Sequence, residues 1–443
     1  MPLYQIKEYG KIVIGSDSNS SISSDGTLLL NTIDFDNVWN HILEIQTKNV
    51  LFEGAFKLSI KGTRRIIQAQ NFVGLIETKN GISIEVLPKL YDGDGELSAL
   101  NCKAIMLNMV ASFLDFKFIS EQNASRDVKK NFPIFEIFVN AYIQEVEVVL
   151  LKGLKKNYKM VEDNRRFLRG QLLFSKDIIH NQFDHSKFFT RANEYEIDTP
   201  QHRIIKSTLQ KLLGVSKVEK NRSRLRYLLL AFVDLKSSFN FVADLDACDK
   251  SSRTFSEYKK LIDWSRIFLT NNSFSAFAGA NDNKSLLFPM ERLFESYIAR
   301  LFKKFSLGYN VHTQHNFHHL VEEHNLKKKF RLKPDLYLTS LDNSHQIILD
   351  TKWKVLNENQ PQKNYLISQS DMYQAYAYGK KYSNQDTVVQ LNLIYPFSAN
   401  FKKPLGDFIY EISDSKKLVL SVIPFDLKGN YAAQIQSILK PSD

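Results

Sequence analysis

Cysteine is nearly absent: Cys102 and Cys248 are the only two in 443 residues. That count excludes a disulfide framework and a cysteine-ligated zinc site. Long apolar runs are missing as well, and no stretch approaches the roughly 20 residues that span a bilayer. The opening MPLYQIKEYGKIVIG lacks the basic-then-apolar layout of a signal peptide. A cytoplasmic protein without membrane association is therefore expected. No GxxxxGK[ST] phosphate loop occurs, so no nucleotide is expected to bind to this chain itself. Acidic residues are in deficit, 48 Asp and Glu against 59 Lys and Arg, for a net charge of +11 and a pI near 9.2. Such an excess suits a polyanion, whose condensed counterions are released on contact, and equally suits a solvated basic surface.

What is present describes a folded chain of several parts. Hydrophobic residues make up 43% and charged residues 24%, the balance of a soluble protein, and the length implies two or three domains. Up to about residue 100 the pattern is that of strands. FKLSIKGTRRIIQAQ alternates, and VGLIETKNGISIEVLPKL alternates on both sides of Lys79-Asn80-Gly81, where Asn-Gly favours a tight hairpin turn. A small antiparallel sheet or barrel is expected. From Asn101 apolar residues recur three and four apart, in NCKAIMLNMVASFLDF and FPIFEIFVNAYIQEVEVVLLKGL, as in amphipathic helices. Asp198-Thr199-Pro200 before QHRIIKSTLQKLLG supplies a cap, a first-turn Pro and a closing Gly214. RLRYLLLAFVDL and FSEYKKLIDWSRIFL continue the helical region, and Asn271 to Ser285, rich in Asn, Ser and Gly, is the expected boundary. The divisions expected are a β-rich region 1–100, a helical region 101–280 and an α/β region 281–443.

In the last of these, LLFPMERLFESYIARLFKKF reads as a helix, GYNVHTQHNF as a strand, and FRLKPDLYLTSLDNSHQIILDTKWKVL as two strands with a turn near Asp342-Asn343. SQSDMYQAYAYGKKY is a helix and TVVQLNLIYPF a strand, which gives a mixed sheet flanked by helices. Asp-x-Lys occurs at six other places, beginning at Asp115, Asp127, Asp234, Asp282, Asp414 and Asp426. Asp350-Thr351-Lys352 differs because it ends the apolar run Gln346 to Leu349. Pro334-Asp335, the only Pro-Asp in the chain, starts the preceding strand. If the two strands pair as a hairpin, Asp335 meets the far end of the second. Alternation places Asp350 and Lys352 on one face and Leu349 and Thr351 on the other. Two carboxylates and an ammonium then project into one site, the grouping that phosphodiester hydrolysis with Mg²⁺ requires.

These residues resemble the PD-(D/E)xK nuclease superfamily. The resemblance implies catalytic roles for Asp335, Asp350 and Lys352, with Mg²⁺ or Mn²⁺ held by Asp335, Asp350 and Glu295 of LFES, or less favourably Glu291. Gln374 and Tyr378, one helical turn apart in DMYQAYAYG, match a pair found in some branches. A closer resemblance, over roughly residues 70 to 400, is to the McrC family, the nuclease subunit of McrBC-type restriction systems. FVGLIETKNGISIEVLPKL, GLKKNYKMVEDNRRFLRGQL, NEYEIDTPQHRIIKSTLQKLL, LFESYIARLF, KPDLYL, ILDTKWK and DMYQAYAYGKKY carry it, in the family's order. It implies a Mg²⁺-dependent endonuclease of double-stranded DNA that works with a hexameric AAA+ GTPase partner, docks that partner through its N-terminal region and stimulates its GTPase. Residues before about 50 have no counterpart in this resemblance.

Other features bear on binding. Lys327, Lys328, Lys329, Arg331 and Lys333 run into Asp335 and are candidate DNA phosphate contacts, the alternative being a solvated loop. His312, His315, His318, His319 and His324 crowd thirteen residues; on a strand the rings of His312, His315 and His318 would scatter over both faces, so an exposed polar strand and turn is expected rather than a metal site. Arg165, Arg166, Arg169, Arg222, Arg224 and Arg226 fit contacts with DNA or a partner, or surface ion pairs. Two further readings stand beside the restriction subunit: a self-sufficient nuclease of DNA repair or junction processing, and a non-catalytic activator of an AAA+ motor.

Overall fold

The structure, a computed structural model, describes residues 3–15, 21–23, 26–48, 54–78, 80–89, 96–113, 134–250, 253–269, 286–315, 317–383, 389–413 and 416–440. The chain forms two compact units, one of residues 1–132 with 285–443 and one of residues 133–284. This grouping differs from three successive segments: the first hundred residues and the last third make one body. The expected boundary, 271–285, lies outside the described residues.

The first unit opens with β1 (Leu3–Lys7), β2 (Lys11–Ile14), β3 (Ser21–Ile22), β4 (Leu28–Leu30), α1 (Thr32–Lys48), β5 (Phe56–Lys61), β6 (Arg64–Ala69), β7 (Phe72–Glu77), β8 (Ser83–Leu87) and α2 (Glu96–Phe113). The alternation of the sequence makes the hairpins β5–β6 and β7–β8. Gly81 takes a φ of 83° in the second turn; Lys79 is outside the described residues. The expectation of an antiparallel sheet or barrel is corrected, because β1 runs parallel to β8 and β2 parallel to β4. Helix α1 also departs from an all-strand reading. Asn31 caps it, its Oδ1 accepting from the Asp34 amide at 2.8 Å. Phe35, Val38, Ile42 and Ile45 bury one face at helical spacing.

The second unit contains α3 (Ile134–Leu151), β9 (Asn157–Arg165), β10 (Gln171–Leu172), α4 (Phe174–His180), β11 (Phe188–Glu196), α5 (Pro200–Val215), α6 (Glu219–Leu230), α7 (Phe241–Asp249) and α8 (Lys259–Leu269). The helices pack around Phe138, Tyr142, Trp264 and Phe268. Thr199 caps α5 as its sequence implies, but Gly214 lies inside the last turn and Ser216 ends the helix. The all-helical expectation is corrected by a nine-residue antiparallel ribbon, β9 with β11. Both faces of most of β9 meet water, so no apolar alternation marks it. Cross-strand pairs hold the ribbon instead: Tyr158 on Tyr195 at 4.9 Å, Arg191 with Glu162 at 2.6 Å, and Arg165 with Glu194. The arginines of this unit are largely consumed internally. Arg224 pairs with Glu147 at 2.6 Å, Arg226 with Glu219 at 2.7 Å, Arg222 with Glu219 at 3.5 Å, and Arg169 comes to 3.8 Å from Glu194.

The chain then returns to the first unit as β12 (Leu286–Pro289), α9 (Met290–Phe305), β13 (Tyr309–Thr313), β14 (His319–His324), β15 (Lys327–Arg331), β16 (Leu336–Ser340), β17 (Gln346–Thr351), α10 (Gln369–Tyr382), β18 (Gln390–Pro396), β19 (Phe408–Ser413), β20 (Lys416–Phe425) and α11 (Tyr431–Ile438). Leu286 to Pro289, expected in the helix, extends the N-terminal sheet, whose order is β1-β8-β7-β12; a second sheet runs β3-β4-β2-β6-β5. The helix, strand, strand pair, helix and strand of the α/β reading are all present, and the main sheet is mixed, ordered β13-β16-β17-β18-β20-β19. One face of it, with Ile348, Leu391, Leu393 and Leu420, packs on Ala375 and Tyr378 of α10. Among the described residues no helix is long and apolar enough to cross a membrane, and Cys102 and Cys248 are buried and not joined by a disulfide.

Gly74 shows how tightly β12 is seated. Its φ is 136°, and a Cβ there would lie 1.9 Å from the carbonyl oxygen of Leu286, a backbone atom that cannot step aside. Gly74→Ala should therefore destabilise this unit by about 2–4 kcal/mol. Urea unfolding measures it, and unchanged stability would contradict the packing of β7 on β12.

Candidate functional site

The strand pair β16–β17 builds the site by register. Leu336 stands opposite Leu349 and Tyr337 opposite Ile348, so Asp335, one residue before β16, reaches the end of β17. Its backbone carbonyl accepts from the Gln314 amide at 3.0 Å, which fixes the entry to the strand. Its Oδ2 accepts from the Thr351 amide at 2.7 Å and the Thr351 hydroxyl at 2.6 Å. Thr351, expected to turn away, is thus part of the cleft; strand alternation no longer separates the two residues where β17 ends. Past that end, the Lys352 amide donates to the Ile394 carbonyl of β18 at 2.9 Å. Asp350 and Lys352 share the face that α10 covers, as expected. The Lys352 ammonium accordingly meets Gln374 Oε1 at 3.0 Å, Gln374 Nε2 donates to the Tyr378 hydroxyl at 2.7 Å, and that hydroxyl donates to the Lys333 carbonyl at 3.0 Å.

A cleft of about 280 Å³ opens over this point, lined by Asp335, Asp350 and Lys352 with Glu291, Glu295, Trp353 and Asp371 among its walls. Asp350 is 3% exposed. Its Oδ2 forms an ion pair with Lys352 but receives no aligned hydrogen bond. Burial first, then the charge of Asp335, pushes the Asp350 carboxyl up to about 7, against the pull of Lys352. Burial also raises Asp335, which the Thr351 bonds and Lys352 oppose. Burial disfavours charge on Lys352, but Asp350 and Asp335 outweigh it and hold its pKa above the usual value. Glu295, on α9, is raised by burial and by Asp335, and accepts from Gln314 Nε2 at 3.1 Å.

The donor chemistry fits a hard divalent cation. Two carboxylates flank the cleft, and Asp350 Oδ2 is a buried anionic oxygen without a full complement of donors. Magnesium is commonly held by one or two carboxylates, water and substrate oxygens. Among the described residues no group of three or more His, Cys, Asp or Glu lies close enough to hold an ion. Asp335 and Asp350 are therefore the pair that would hold it, with Glu295 further out on the wall.

Sequence reasoning missed a second ion pair beside the first. Lys354 Nζ meets the Asp371 carboxylate at 2.9 and 2.8 Å, and Tyr395 donates to it at 3.0 Å. The signals were present, since Lys354 continues the even-numbered face and Asp371 completes a Ser368-x-x-Asp cap. The basic run forms the exposed ribbon β14–β15 rather than a wall of the cleft, and Lys328 pairs with Glu322 at 3.2 Å. His312, His315 and His318 do not scatter. Gln314 takes a φ of 47° just after β13, which turns the chain so that His315 packs on Tyr337 at 4.4 Å and stands 6.1 Å from His312, while His318 packs on Tyr382 at 4.3 Å.

No curated protein matches the chain. A chain in the solved half-complex of Thermococcus gammatolerans McrB AAA+ hexamers with bound McrC is 15% identical with a TM-score of 0.66, over 99% of this chain and 100% of that one, which shows a shared fold. A chain of the Thermococcus gammatolerans McrBC complex gives 17% identity and a TM-score of 0.49, over 70% of this chain and 89% of that one. The family model described as McrBC 5-methylcytosine restriction system component matches residues 67–396. With more than half of its length matched, the chain belongs to the McrBC 5-methylcytosine restriction system component family.

Proposed function

We propose that this chain is the DNA-cleaving subunit of a McrBC-type restriction complex, a PD-(D/E)xK endonuclease that needs Mg²⁺ or Mn²⁺. The observation that carries the reading is the meeting of Asp335, Asp350 and Lys352 at the end of β17, over a cleft open to substrate. Asp335 and Asp350 hold the cation, with Glu295 completing the acidic wall. When bound, the ion supplies charge neutralisation at the phosphate and a more acidic water. Lys352 stays charged beside Asp350 and presents its ammonium to a phosphate oxygen or the attacking water. Gln374, held between Lys352 and Tyr378, limits where that ammonium points. The exposed cations Lys327, Lys328, Lys329, Arg331 and Lys333 lead the duplex backbone toward the cleft.

The partner in this reading is a hexameric AAA+ GTPase, as in the solved complex of McrB hexamers with McrC. The first hundred residues, expected from the resemblance to dock it, fold with the catalytic sheet. The second unit offers the stronger candidate surface. Helix α4 buries none of its residues, and Phe174, Ile178, Ile179 and Phe183 are each about 70% exposed or more. Contiguous exposed apolar side chains of this kind mark a protein interaction site. We place partner docking and GTPase stimulation there.

Two experiments test these assignments. Asp350→Ala should lower Mg²⁺-dependent cutting of 5-methylcytosine-containing plasmid by about 100-fold or more in the presence of the GTPase partner. Because the Asp350 carboxyl sits near 7, protons compete for it below that pH; the wild type should need roughly tenfold more Mg²⁺ at pH 6 than at pH 8. Equal cutting by both proteins contradicts the site. In the second experiment, Phe174→Ser with Ile178→Asp should abolish co-elution with the partner hexamer on gel filtration while thermal unfolding stays within a few degrees. Undiminished co-elution places docking elsewhere.

A further inference from the structure

Glu8 is a buried carboxylate that hydrolysis at the cleft leaves unused. It follows β1 at the turn into β2, where Tyr9 takes a φ of 64° and the Gly10 amide closes on the Lys7 carbonyl at 2.9 Å. It therefore stands where the chain passes from the four-stranded sheet to the five-stranded one. Its own amide is tied to the Leu87 carbonyl at 2.9 Å, and only 4% of the residue is exposed. Both carboxylate oxygens accept from one donor, the indole Nε1 of Trp353, at 3.2 and 3.1 Å. Oε2 also accepts from the Lys89 amide at 3.1 Å. Burying such a group is costly unless it is bonded in return, and a space-filling residue there would need no charge.

Trp353 connects this carboxylate to the cleft. It directly follows Lys352, lines the cleft, is 2% exposed, and packs on Phe294 of α9 with ring centroids 5.3 Å apart. β17 ends at Thr351, and after the bond from the Lys352 amide to the Ile394 carbonyl the ladder no longer holds the residues that follow. Side chains take over: Lys354 is held by Ser368 and Asp371 on one side, and Trp353 by Glu8 and Phe294 on the other. The peptide bearing Lys352 is anchored beside these two clamps. Charged groups facing Glu8 are Lys89, which follows β8, and Glu291 in the first turn of α9. Lys89 keeps its ammonium over the Tyr9 ring at 4.7 Å, and only its amide bonds the carboxylate.

We infer that Glu8 is a positioning residue for the cleft. Through the Trp353 indole it fixes the backbone that carries Lys352, so a residue in the turn after the first strand tunes the rate of the reaction without touching substrate. The inference rests on the nuclease reading of Asp335, Asp350 and Lys352 and adds a control element to it.

The test uses the full chain with its GTPase partner, GTP, Mg²⁺ and 5-methylcytosine-containing plasmid. Glu8→Leu removes the acceptor, and Trp353→Phe removes the donor while keeping a ring against Phe294. Each should lower kcat about tenfold with the KM for DNA unchanged. Glu8→Gln keeps a carbonyl acceptor for the indole and should restore at least half of the wild-type kcat. Trp353 is one of three tryptophans, so Glu8→Leu should also shift the emission spectrum of the folded protein, and Glu8→Gln should not. Wild-type kcat in Trp353→Phe, or in folded Glu8→Leu, overturns the inference. So does Glu8→Gln as impaired as Glu8→Leu. Wild-type cutting by Asp350→Ala, run in parallel, instead overturns the nuclease reading beneath it.

Discussion

Two carboxylates forced together out of water are the constraint around which the C-terminal part of this protein is built. The charge of Asp335 raises the pKa of Asp350, and burial raises both. The fold offsets this locally. Thr351 gives Asp335 two hydrogen bonds, and Lys352 sets a positive charge against Asp350. The balance is incomplete, because one oxygen of Asp350 has no aligned donor. A site with that deficit of positive charge is one in which a divalent cation gains more than it would on an exposed acidic surface.

The surrounding architecture keeps that arrangement from relaxing. The hairpin register fixes Asp335 against the end of β17, and β18 pins Lys352 from the other side. Helix α10 supplies Gln374 and Tyr378 to the ammonium and Asp371 to Lys354, while its apolar face packs on the sheet. The N-terminal sheets belong to the same body, and Glu8 reaches Trp353 from 345 residues away. On the proposed reading, the chain's first strand is thus part of the nuclease, and the second unit is left to meet the partner.

The meeting of Asp335, Asp350 and Lys352 was legible because local rules suffice for it. An apolar run ending in Asp-x-Lys, with Pro-Asp one hairpin earlier, needs only strand alternation and a turn to converge. Other parts were illegible for particular reasons. The ribbon β9–β11 is wet on both faces, so hydrophobic periodicity, the main signal for a strand, is absent from it. His312, His315 and His318 gather around Tyr337 and Tyr382, and the turn between the first two comes from Gln314, which adopts a left-handed backbone that no composition rule assigns to glutamine. The parallel pairing of β1 with β8 and the bond from Glu8 to Trp353 are contacts between distant segments, which a pattern read along the chain does not contain. The basic run is not a loop, since Lys327 to Arg331 pair with their own neighbour strand to form an exposed ribbon.

The central claim is that Asp335 and Asp350 jointly grip a divalent cation. Anomalous diffraction from crystals soaked in Mn²⁺ addresses it most directly. The account requires an anomalous peak between the two carboxylates, lost in Asp350→Ala crystals. Strong Mn²⁺ density elsewhere with none between these side chains, or a peak that survives the substitution, would contradict it.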